Sequence, residues 1–469
     1  MTFNSAQFFI LWFFIQICVL IWNTKPLIRN TVLLIGNLVF LLSIGNSLII
    51  LVLLFSLSDF IVAKLIHESN SDGTKTWLMR FSVLQNIALI LVFRHLDEWQ
   101  LKPEFLSFIK FIGVSFYAFR SMSYVFDVYY ENLDEPEPSL LNYWTFISFF
   151  PVFLMGPIQT APNFLKHLNS PKWVIDKSKV NYGAFLVGLG VVKKFVLSNY
   201  LAVNFVERIF DAYLYFTPME NLLAAVIQTL NLYLDFSGYT DIAVGISLFM
   251  GFEIMENFNF PFLSQNITEY WKRWHISLSQ WFNQYLYFPL SYYLRTWKKW
   301  GTTLSVFVVF AVSGFWHGTH LNFVFWGLMH AFALIWDVWT SEVRLKIKQY
   351  IPVYIYKPFS ILLTFTFLTF SGVYFKSTDL EQANQMIMRI FGGLDFSLFG
   401  DWLKLYPYVA IIFASTLVFH WSMPRFYLLI IEQIKKLPVW VSAITLVAVI
   451  FIAFQFQKMG SVPFYYLEF

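Results

Sequence analysis

Apolar residues along this chain of 469 residues come in long runs, and polar residues collect in the stretches between them. A helix needs roughly 20 mostly apolar residues to cross a hydrocarbon core of about 30 Å. Runs that approach or exceed this length recur from end to end; they cover residues 8–22, 31–55, 104–119, 182–204, 221–236, 304–316, 322–339, 355–374, 406–421 and 438–456. The pattern predicts an all-α, polytopic transmembrane protein of about ten to twelve helices.

Composition supports a membrane protein. Hydrophobic residues make up 58% of the chain and charged residues only 13%, whereas soluble domains carry roughly 25% charged residues. The net charge of +4 is spread over short loops, so membrane lipid is an expected partner and nucleic acid is not. The one cysteine, Cys18, lies within an apolar run, which excludes an internal disulfide and any metal centre built on several thiolates.

No internal repeat is evident, so we predict a single integral membrane domain over residues 1–469. Its expected parts are N-terminal spans in residues 1–100, a core in residues 104–340 and C-terminal spans in residues 341–469.

The segment 252–303 is too polar for an ordinary span and too aromatic for a free loop. Such a segment is expected to lie half-buried at the membrane interface. We predict one helix from about Ile267 to Phe288, in which Glu269 and Arg273 form an ion pair four residues apart. The same helix would place His275 on the face of Trp271, without a local partner for its ring.

A second polar group follows an apolar run in the motif SGFWHGTH, which contains His317 and His320. His330 lies in the next apolar run. Histidine titrates near neutral pH and serves as a general base, so His317 is either functional or a core histidine with satisfied hydrogen bonds. No HExxH pattern occurs and no carboxylate stands at ligand spacing, so we expect no metal site.

The motif DFSGYTD, from Asp235 to Asp241, also interrupts apolar residues. We predict a helix break there, with Gly238 in the turn and the carboxylates capping the next helix. A direct catalytic role for Asp235 or Asp241 is the alternative.

Together these motifs resemble the membrane-bound O-acyltransferases, and within them the bacterial alginate and peptidoglycan O-acetyltransferases and D-alanyl transferases. The resemblance covers most of the chain and is carried by GVSFYAFRSMSYVFDVYY, SFFPVFLMGPIQ, the run from LDFSGYTD to WKRWHISLSQWFNQYLYFPL, and SGFWHGTHLNFVFWGLMHAF. It implies a helical fold that encloses a tunnel.

The resemblance also implies the site. The family's catalytic histidine falls on His317 and its second polar position on His275. We expect His317 to act as the general base while an acyl group passes from a thioester to a hydroxyl, although the two roles could be exchanged and a covalent acyl-histidine remains open. Expected supporting residues are His330, Trp274, Trp316, Asp235, Asp241 and Arg273.

Two stretches, FKSTDLEQANQMIMRIFGG and FIAFQF, resemble the acetyl-transferring members. The resemblance therefore implies O-acetylation of a cell-surface polysaccharide or peptidoglycan from the bacterial cytoplasmic (inner) membrane. The donor would be acyl-CoA, with acetyl-CoA expected, or an acyl-carrier thioester, with no tightly bound cofactor. An extracytoplasmic partner of the SGNH-hydrolase type would receive the group. After Trp281 this chain reads FNQYLYFPLSYYLR, which lacks the Arg–Asp pair and the diglycine common among relatives and puts the acceptor or partner surface in question.

Three other functions stay open. D-Alanyl transfer to teichoic acid would use a carrier-protein donor. A transporter or channel would use buried His and Asp side chains for protons. An inactive scaffold is the third, and intact His317 and His275 argue against it.

Overall fold

The computed structural model of the chain describes residues 5–44, 46–95, 113–318, 320–422 and 424–457. Helices fill these ranges, which contain no strand, and the predicted all-α fold class is thereby confirmed. The predicted tunnel stays a prediction.

Seven helices in the described ranges are long and apolar enough to span a membrane, or eight if one pair bent by 106° is a single span. This makes the chain a multi-pass integral membrane protein, with fewer such helices than the ten to twelve expected. Part of the difference has a local reason: the run 221–236 lies within a longer and more polar helix, and most of the run 104–119 falls outside the described residues. The seven are Pro26–Ile44, Ile49–Glu68, Lys177–Asp211, Lys299–His317, Leu321–Trp339, Val353–Lys376 and Val439–Phe456, and the bent pair is Phe396–Leu405 with Pro407–Trp421.

The chain divides into two compact units, each made of separated stretches. The first comprises Met1–Val187, Tyr239–Met255 and Lys435–Ala443; the second comprises Gly188–Gly238, Glu256–Ile434 and Ile444–Phe469. The subdivision predicted at residues 100–104 and 340 stays a prediction.

Two helices of the first unit each have a serine as N-cap, whose side chain accepts a hydrogen bond from the first turn. Ser5 Oγ accepts from the Phe8 N–H at 3.3 Å, and Ser139 Oγ accepts from the Asn142 N–H at 3.4 Å, so each satisfies a free N–H of a first turn. The first nine helices in the described ranges are α1 Ala6–Ile21, α2 Pro26–Ile44, α3 Asn46–Glu68, α4 Asp72–His95, α5 Val114–Tyr129, α6 Leu140–Ser148, α7 Phe150–Phe153, α8 Ala161–Leu168 and α9 Lys177–Val191. The last of them ends four residues after the stretch Met1–Val187.

The second unit contains every histidine predicted for the site. π-Helical turns at Val192–Ser198, Ala202–Val206 and Asn283–Tyr287 join some of its helices. The remaining helices of the chain are α10 Asn199–Leu201, α11 Glu207–Asp211, α12 Pro218–Phe249, α13 Ile267–Trp271, α14 Ile276–Phe282, α15 Phe288–Tyr293, α16 Lys299–His317, α17 Leu321–Trp339, α18 Ser341–Tyr350, α19 Val353–Lys376, α20 Leu380–Gly392, α21 Phe399–Leu405, α22 Pro407–Ser422, α23 Pro424–Lys436 and α24 Val439–Gln457.

Two local predictions were wrong. The break predicted at Gly238 does not exist, because α12 runs through it without interruption. The single helix predicted from Ile267 to Phe288 is instead α13 and α14, separated by a turn that ends at His275.

Candidate active site

His317 is the last residue of α16, and a close crossing of α16 with α17 sets its position. A Cβ on Gly314 would lie 2.7 Å from the Phe323 carbonyl oxygen, and one on Gly327 would lie 2.4 Å from the Phe310 carbonyl oxygen. Only glycines allow the two backbones to approach this closely. His317 therefore stands one turn beyond a tight and well-defined crossing.

Aromatic rings enclose the His317 side chain, of which 4% is exposed. The ring centroids of Trp316, Trp326 and Phe375 lie 4.5, 5.0 and 5.1 Å from that of His317. Predicted Trp316 thus contacts His317 directly, while sequence reasoning missed Trp326 and Phe375. An environment of this kind excludes bulk water and strengthens electrostatic interactions.

His275 adopts a left-handed backbone conformation, with φ of 43° and ψ of 54°. For a residue other than glycine this costs about 1–2 kcal/mol, and neighbouring hydrogen bonds hold it. The Asn257 carbonyl oxygen accepts from the Ile276 N–H at 3.0 Å, and Asn257 Oδ1 accepts from Ser277 N–H at 3.0 Å and Ser277 Oγ at 2.7 Å. Asn257, which sequence reasoning missed, therefore determines where α14 begins.

The His275 side chain is 1% exposed, and its ring meets Phe236 edge to face at 4.7 Å. Burial lowers the pKa of His275 to about 3, because desolvation disfavours the charged imidazolium. His275 is therefore neutral at physiological pH.

Two other predicted residues flank His275. The ring of Trp274 stacks on Tyr270 at 5.6 Å. The predicted ion pair of Arg273 with Glu269 is confirmed, with Arg273 Nη2 2.9 Å from Glu269 Oε1. Arg273 Nη1 also donates to the Asn259 carbonyl oxygen at 3.1 Å, which ties this turn to the preceding segment.

His330 lies on α17, and its hydrogen bonding determines its tautomer. Trp271 Nε1 donates to His330 Nδ1 at 3.3 Å. Because an indole N–H only donates, Nδ1 is unprotonated and a neutral His330 carries its hydrogen on Nε2. The His330 ring also lies 4.8 Å from Trp326, the same ring that packs on His317. The structure thus joins His317 and His330 through one tryptophan.

A second tether holds α13 against α17. Asp337 Oδ2 accepts from the Thr268 N–H at 2.9 Å and from Thr268 Oγ1 at 3.0 Å, and Asp337 Oδ1 pairs with Arg344 Nη1 at 3.0 Å. His330 and Asp337 are seven residues apart, two turns along one helix face. This spacing was the signal in the sequence that could have identified Asp337 as a partner of α13.

The two predicted aspartates differ in their surroundings. Asp235 is buried and forms an ion pair with Lys194, also buried. Ser198 Oγ donates to Asn231 Oδ1 at 2.9 Å and also lies 3.5 Å from Asp235 Oδ1. Asp241 belongs to the first unit and is half-buried. Its predicted supporting role stays a prediction, as does that of Asp235.

A cavity of about 640 Å³ borders α16 and α17, but neither His317 nor His330 lines it. Two further cavities in the described part of the second unit approach these histidines. The larger of these two, about 490 Å³, is lined by segments from Thr268 to Tyr287 and by α16 and α17, and it reaches Ser313, one turn before His317. Its volume falls within the range of about 300–1,000 Å³ typical of small-molecule sites. The smaller, about 40 Å³, is lined by His330 and by two rings that pack on His317, Trp326 and Phe375.

His320 is exposed at the start of α17. Within the described ranges, no three or more His, Cys, Asp or Glu side chains form a group able to hold a metal ion.

The sequence model of the membrane-bound O-acyltransferase family matches residues 62–376, which include His275, His317 and His330. A peptidoglycan O-acetyltransferase of Helicobacter pylori is 28% identical over 79% of this chain and 71% of its own length. A probable alginate O-acetylase, AlgI, of Pseudomonas aeruginosa is 34% identical over 62% of this chain and 52% of its own. A teichoic acid D-alanyltransferase of Bacillus subtilis is 32% identical over 48% of this chain and 58% of its own. The chain thus aligns with about half the length of the alginate relative.

Proposed function

Since the chain belongs to the membrane-bound O-acyltransferase family, we propose that it moves an acetyl group from a cytoplasmic thioester toward a cell-surface polysaccharide or peptidoglycan. Membrane acyl transfer follows from the family itself. The names of the relatives support the choice of acetyl, because the peptidoglycan and alginate proteins are both O-acetylating.

The observation that carries the proposed mechanism is the burial of His317 among three aromatic rings at the tip of α16. A hydroxyl is a weak nucleophile at neutral pH, and a positioned base contributes about 10²–10⁴ in rate. In the proposed step His317 removes the hydroxyl proton while the oxygen forms a bond to the thioester carbonyl carbon. The carbon–sulfur bond then breaks, and the leaving thiolate receives the proton from His317.

His275 takes the second role in this proposal. Burial lowers the pKa of His275 to about 3, so His275 has little tendency to accept a proton at pH 7. The proposal gives proton transfer to His317, on which the family's catalytic histidine falls. As a neutral ring His275 can donate one hydrogen bond, either to the thioester carbonyl or to the hydroxyl-bearing substrate.

The cavity of about 490 Å³ is the proposed donor site. It reaches Ser313 on the helix of His317, and Lys272 in its wall offers a cation to an acidic donor. Acyl-CoA or a carrier-bound thioester would enter here as a substrate rather than as a bound cofactor. The proposed acceptors are an extracytoplasmic SGNH-type protein and, beyond it, the polymer, with the inner membrane of a bacterium as the location.

A second candidate is D-alanyl transfer, supported by the similarity to the Bacillus subtilis protein. That alignment covers 48% of this chain, compared with 79% for the peptidoglycan O-acetyltransferase. The longer match favours acetyl.

The experiment measures cell-surface esters, released by mild alkali and separated by chromatography, at matched expression. His317→Ala is expected to abolish release of acetate, and His275→Ala to lower it strongly. His320→Ala is the matched control, since this histidine lies three residues from His317 but is exposed, and acetate should stay at the wild-type level. Release of D-alanine would select the second candidate. Esters unchanged in both His317→Ala and His275→Ala cells would favour transport or scaffolding instead.

A further inference from the structure

The cavity of about 40 Å³ beside His330 lies in the second unit, one ring away from His317. Trp326 and Phe375 connect the two, because each lines the cavity and also packs on His317. The wall is otherwise mostly aromatic and aliphatic. Its polar side chains are Gln228, Thr229, Tyr270, His330 and Ser371, and the indoles of Trp274 and Trp326 each carry an N–H.

Two of the hydroxyls, those of Thr229 and Ser371, already act as donors within the protein. Thr229 Oγ1 donates to the Ala225 carbonyl oxygen at 3.1 Å, and Ser371 Oγ donates to the Leu368 carbonyl oxygen at 3.1 Å. A hydroxyl has one hydrogen, so each offers only lone pairs to a guest.

His330 and Gln228 each offer a donor. His330 Nδ1 accepts from Trp271 Nε1, which leaves Nε2–H as the polar group of the neutral ring. Gln228 Oε1 accepts from Asn231 Nδ2 at 3.5 Å, which leaves the Gln228 amide NH₂. Both groups can donate to a guest that has an acceptor oxygen and an apolar remainder.

The volume of the cavity restricts the size of the guest. One water molecule needs about 10–15 Å³ of cavity volume, so a cavity of about 40 Å³ admits roughly three non-hydrogen atoms. An acetyl group, with its methyl carbon, carbonyl carbon and carbonyl oxygen, has three.

We propose that this cavity is the acyl pocket, in which His330 and Gln228 donate to the acyl carbonyl oxygen and the aromatic wall limits the chain to two carbons. The inference rests on the proposed acyl transfer and adds the residues that select the acyl group. His330 contacts the substrate as a hydrogen-bond donor and not as a base, because Trp271 holds its tautomer.

Acyl selectivity is the direct test, measured in membrane vesicles supplied with acetyl-CoA or propionyl-CoA, by thiol release and by acyl ester formed. Leu368→Ala enlarges the cavity and is expected to raise the ratio of propionyl to acetyl transfer about tenfold, the lower end of what one methylene contributes in a pocket. Gly372→Ala narrows it: a Cβ there meets only Thr229 Oγ1, at an ordinary 3.6 Å. Acetyl transfer should then fall while the protein folds normally.

Leu230→Ala is the matched control, since Leu230 is a fully buried leucine of α12 that does not line the cavity. It should leave the ratio at the wild-type value. The ratio does not depend on how much protein folds, so a loss of stability in either leucine variant does not imitate the effect. An unchanged ratio in Leu368→Ala, together with wild-type acetyl transfer in Gly372→Ala, would show that the acyl group does not occupy this cavity, and would overturn the inference.

The donor role of His330 has its own pair of variants. His330→Phe keeps a ring without a donor and is expected to lower acetyl transfer about 10²-fold, as loss of one carbonyl-binding donor does elsewhere. His330→Gln keeps an N–H and should recover part of that loss. Equal activity of the two variants would overturn the donor role.

Failure of the proposed function gives a different result. Wild-type vesicles would then form no acyl ester from either thioester, and the proposed function and the acyl pocket would both be overturned. Wild-type transfer with selectivity insensitive to the cavity variants overturns the acyl pocket alone.

Discussion

Two polar stretches interrupt the apolar runs of this chain, and they fold in opposite ways. Residues 235–241 contain a glycine and two carboxylates, yet α12 passes through them unbroken. Residues 272–275 contain strong helix formers, yet the helix stops there and His275 takes a left-handed conformation. Local propensity favoured the reverse in both places.

The difference lies in what each backbone meets. Gly238 allows close packing. A Cβ on it would lie 2.9 Å from the Gly190 carbonyl oxygen and 3.0 Å from the Lys194 backbone nitrogen. Its polar neighbour Asp235 is neutralised from the side by Lys194. Residues after the 272–275 turn instead bind Asn257, which offers a carbonyl oxygen and a side-chain oxygen in place of helix continuation. In both stretches the polar residues contact residues distant in sequence, and those contacts determine whether the helix continues.

The largest effect is expected at the ion pair that lets α12 carry Asp235. Lys194→Met leaves a buried carboxylate without its cation and should cost about 3–5 kcal/mol of stability. The double change Lys194→Met with Asp235→Leu should recover most of it, because no buried charge remains. Thermal unfolding in detergent measures both. A double variant no more stable than the single one would show that the pair is not what supports this part of α12.

Asn257→Ala should remove the support of the 272–275 turn. The Ser277 N–H and hydroxyl lose their shared buried acceptor, at a cost of about 1–3 kcal/mol. Because His275 can then leave its left-handed conformation, the proposed acetyl transfer should fall by more than the loss of folded protein explains. Asn257→Asp keeps the acceptor oxygen and should restore activity in part; equal defects in Ala and Asp variants would count against this role.

Gly238→Ala tests the other half of the comparison. Alanine has the better helix propensity by about 1 kcal/mol, but its Cβ would overlap backbone atoms of residues 190 and 194. We expect net destabilisation of about 1–3 kcal/mol, seen as a lower unfolding temperature. A more stable protein would mean that the neighbouring helix yields easily and that packing does not require this glycine.

Glu269→Gln should have a small effect on stability. Both side chains of the Glu269–Arg273 pair are partly exposed, at 26% and 30%, and such pairs contribute about 0.2–1 kcal/mol. Glutamine also retains an oxygen for the Gln265 N–H, which Glu269 now accepts at 2.9 Å. Unfolding temperature in low and high salt is the measurement, and a loss well above 1 kcal/mol would show that this pair, rather than Asn257, holds the turn.

The smallest effect is expected on the pH dependence of transfer. Burial lowers the pKa of His275 to about 3 from an ordinary value near 6.5, so His275 gains a proton only as the pH falls toward 3. Between pH 5 and 8 it stays neutral. His275→Gln should therefore lower the rate at every pH in this window without moving the midpoint of the pH–rate curve. A shifted midpoint would assign the titration to His275 and would mean that His275, rather than His317, acts as the base.

The sequence by itself determined the class of protein, because the length and apolarity of the runs report membrane insertion directly. It also determined the family, through motifs that hold His275 and His317. The pair of Glu269 with Arg273 was predictable too, because a spacing of four residues brings the two side chains together even though Arg273 lies in the turn just after α13. Each of these conclusions depends on local pattern or on motif identity.

Only the tertiary structure decided where the helices break, what Gly238 packs against and which nitrogen of His330 carries hydrogen. Asn257 lies about twenty residues from the turn that it holds, and Trp271 is 59 residues from the histidine whose tautomer it determines. Hydrogen bonds and close backbone contacts between such distant residues leave no periodic trace in a single sequence. They form only after helices pack, which is why the acid–base character of the site follows from the fold rather than from the motifs.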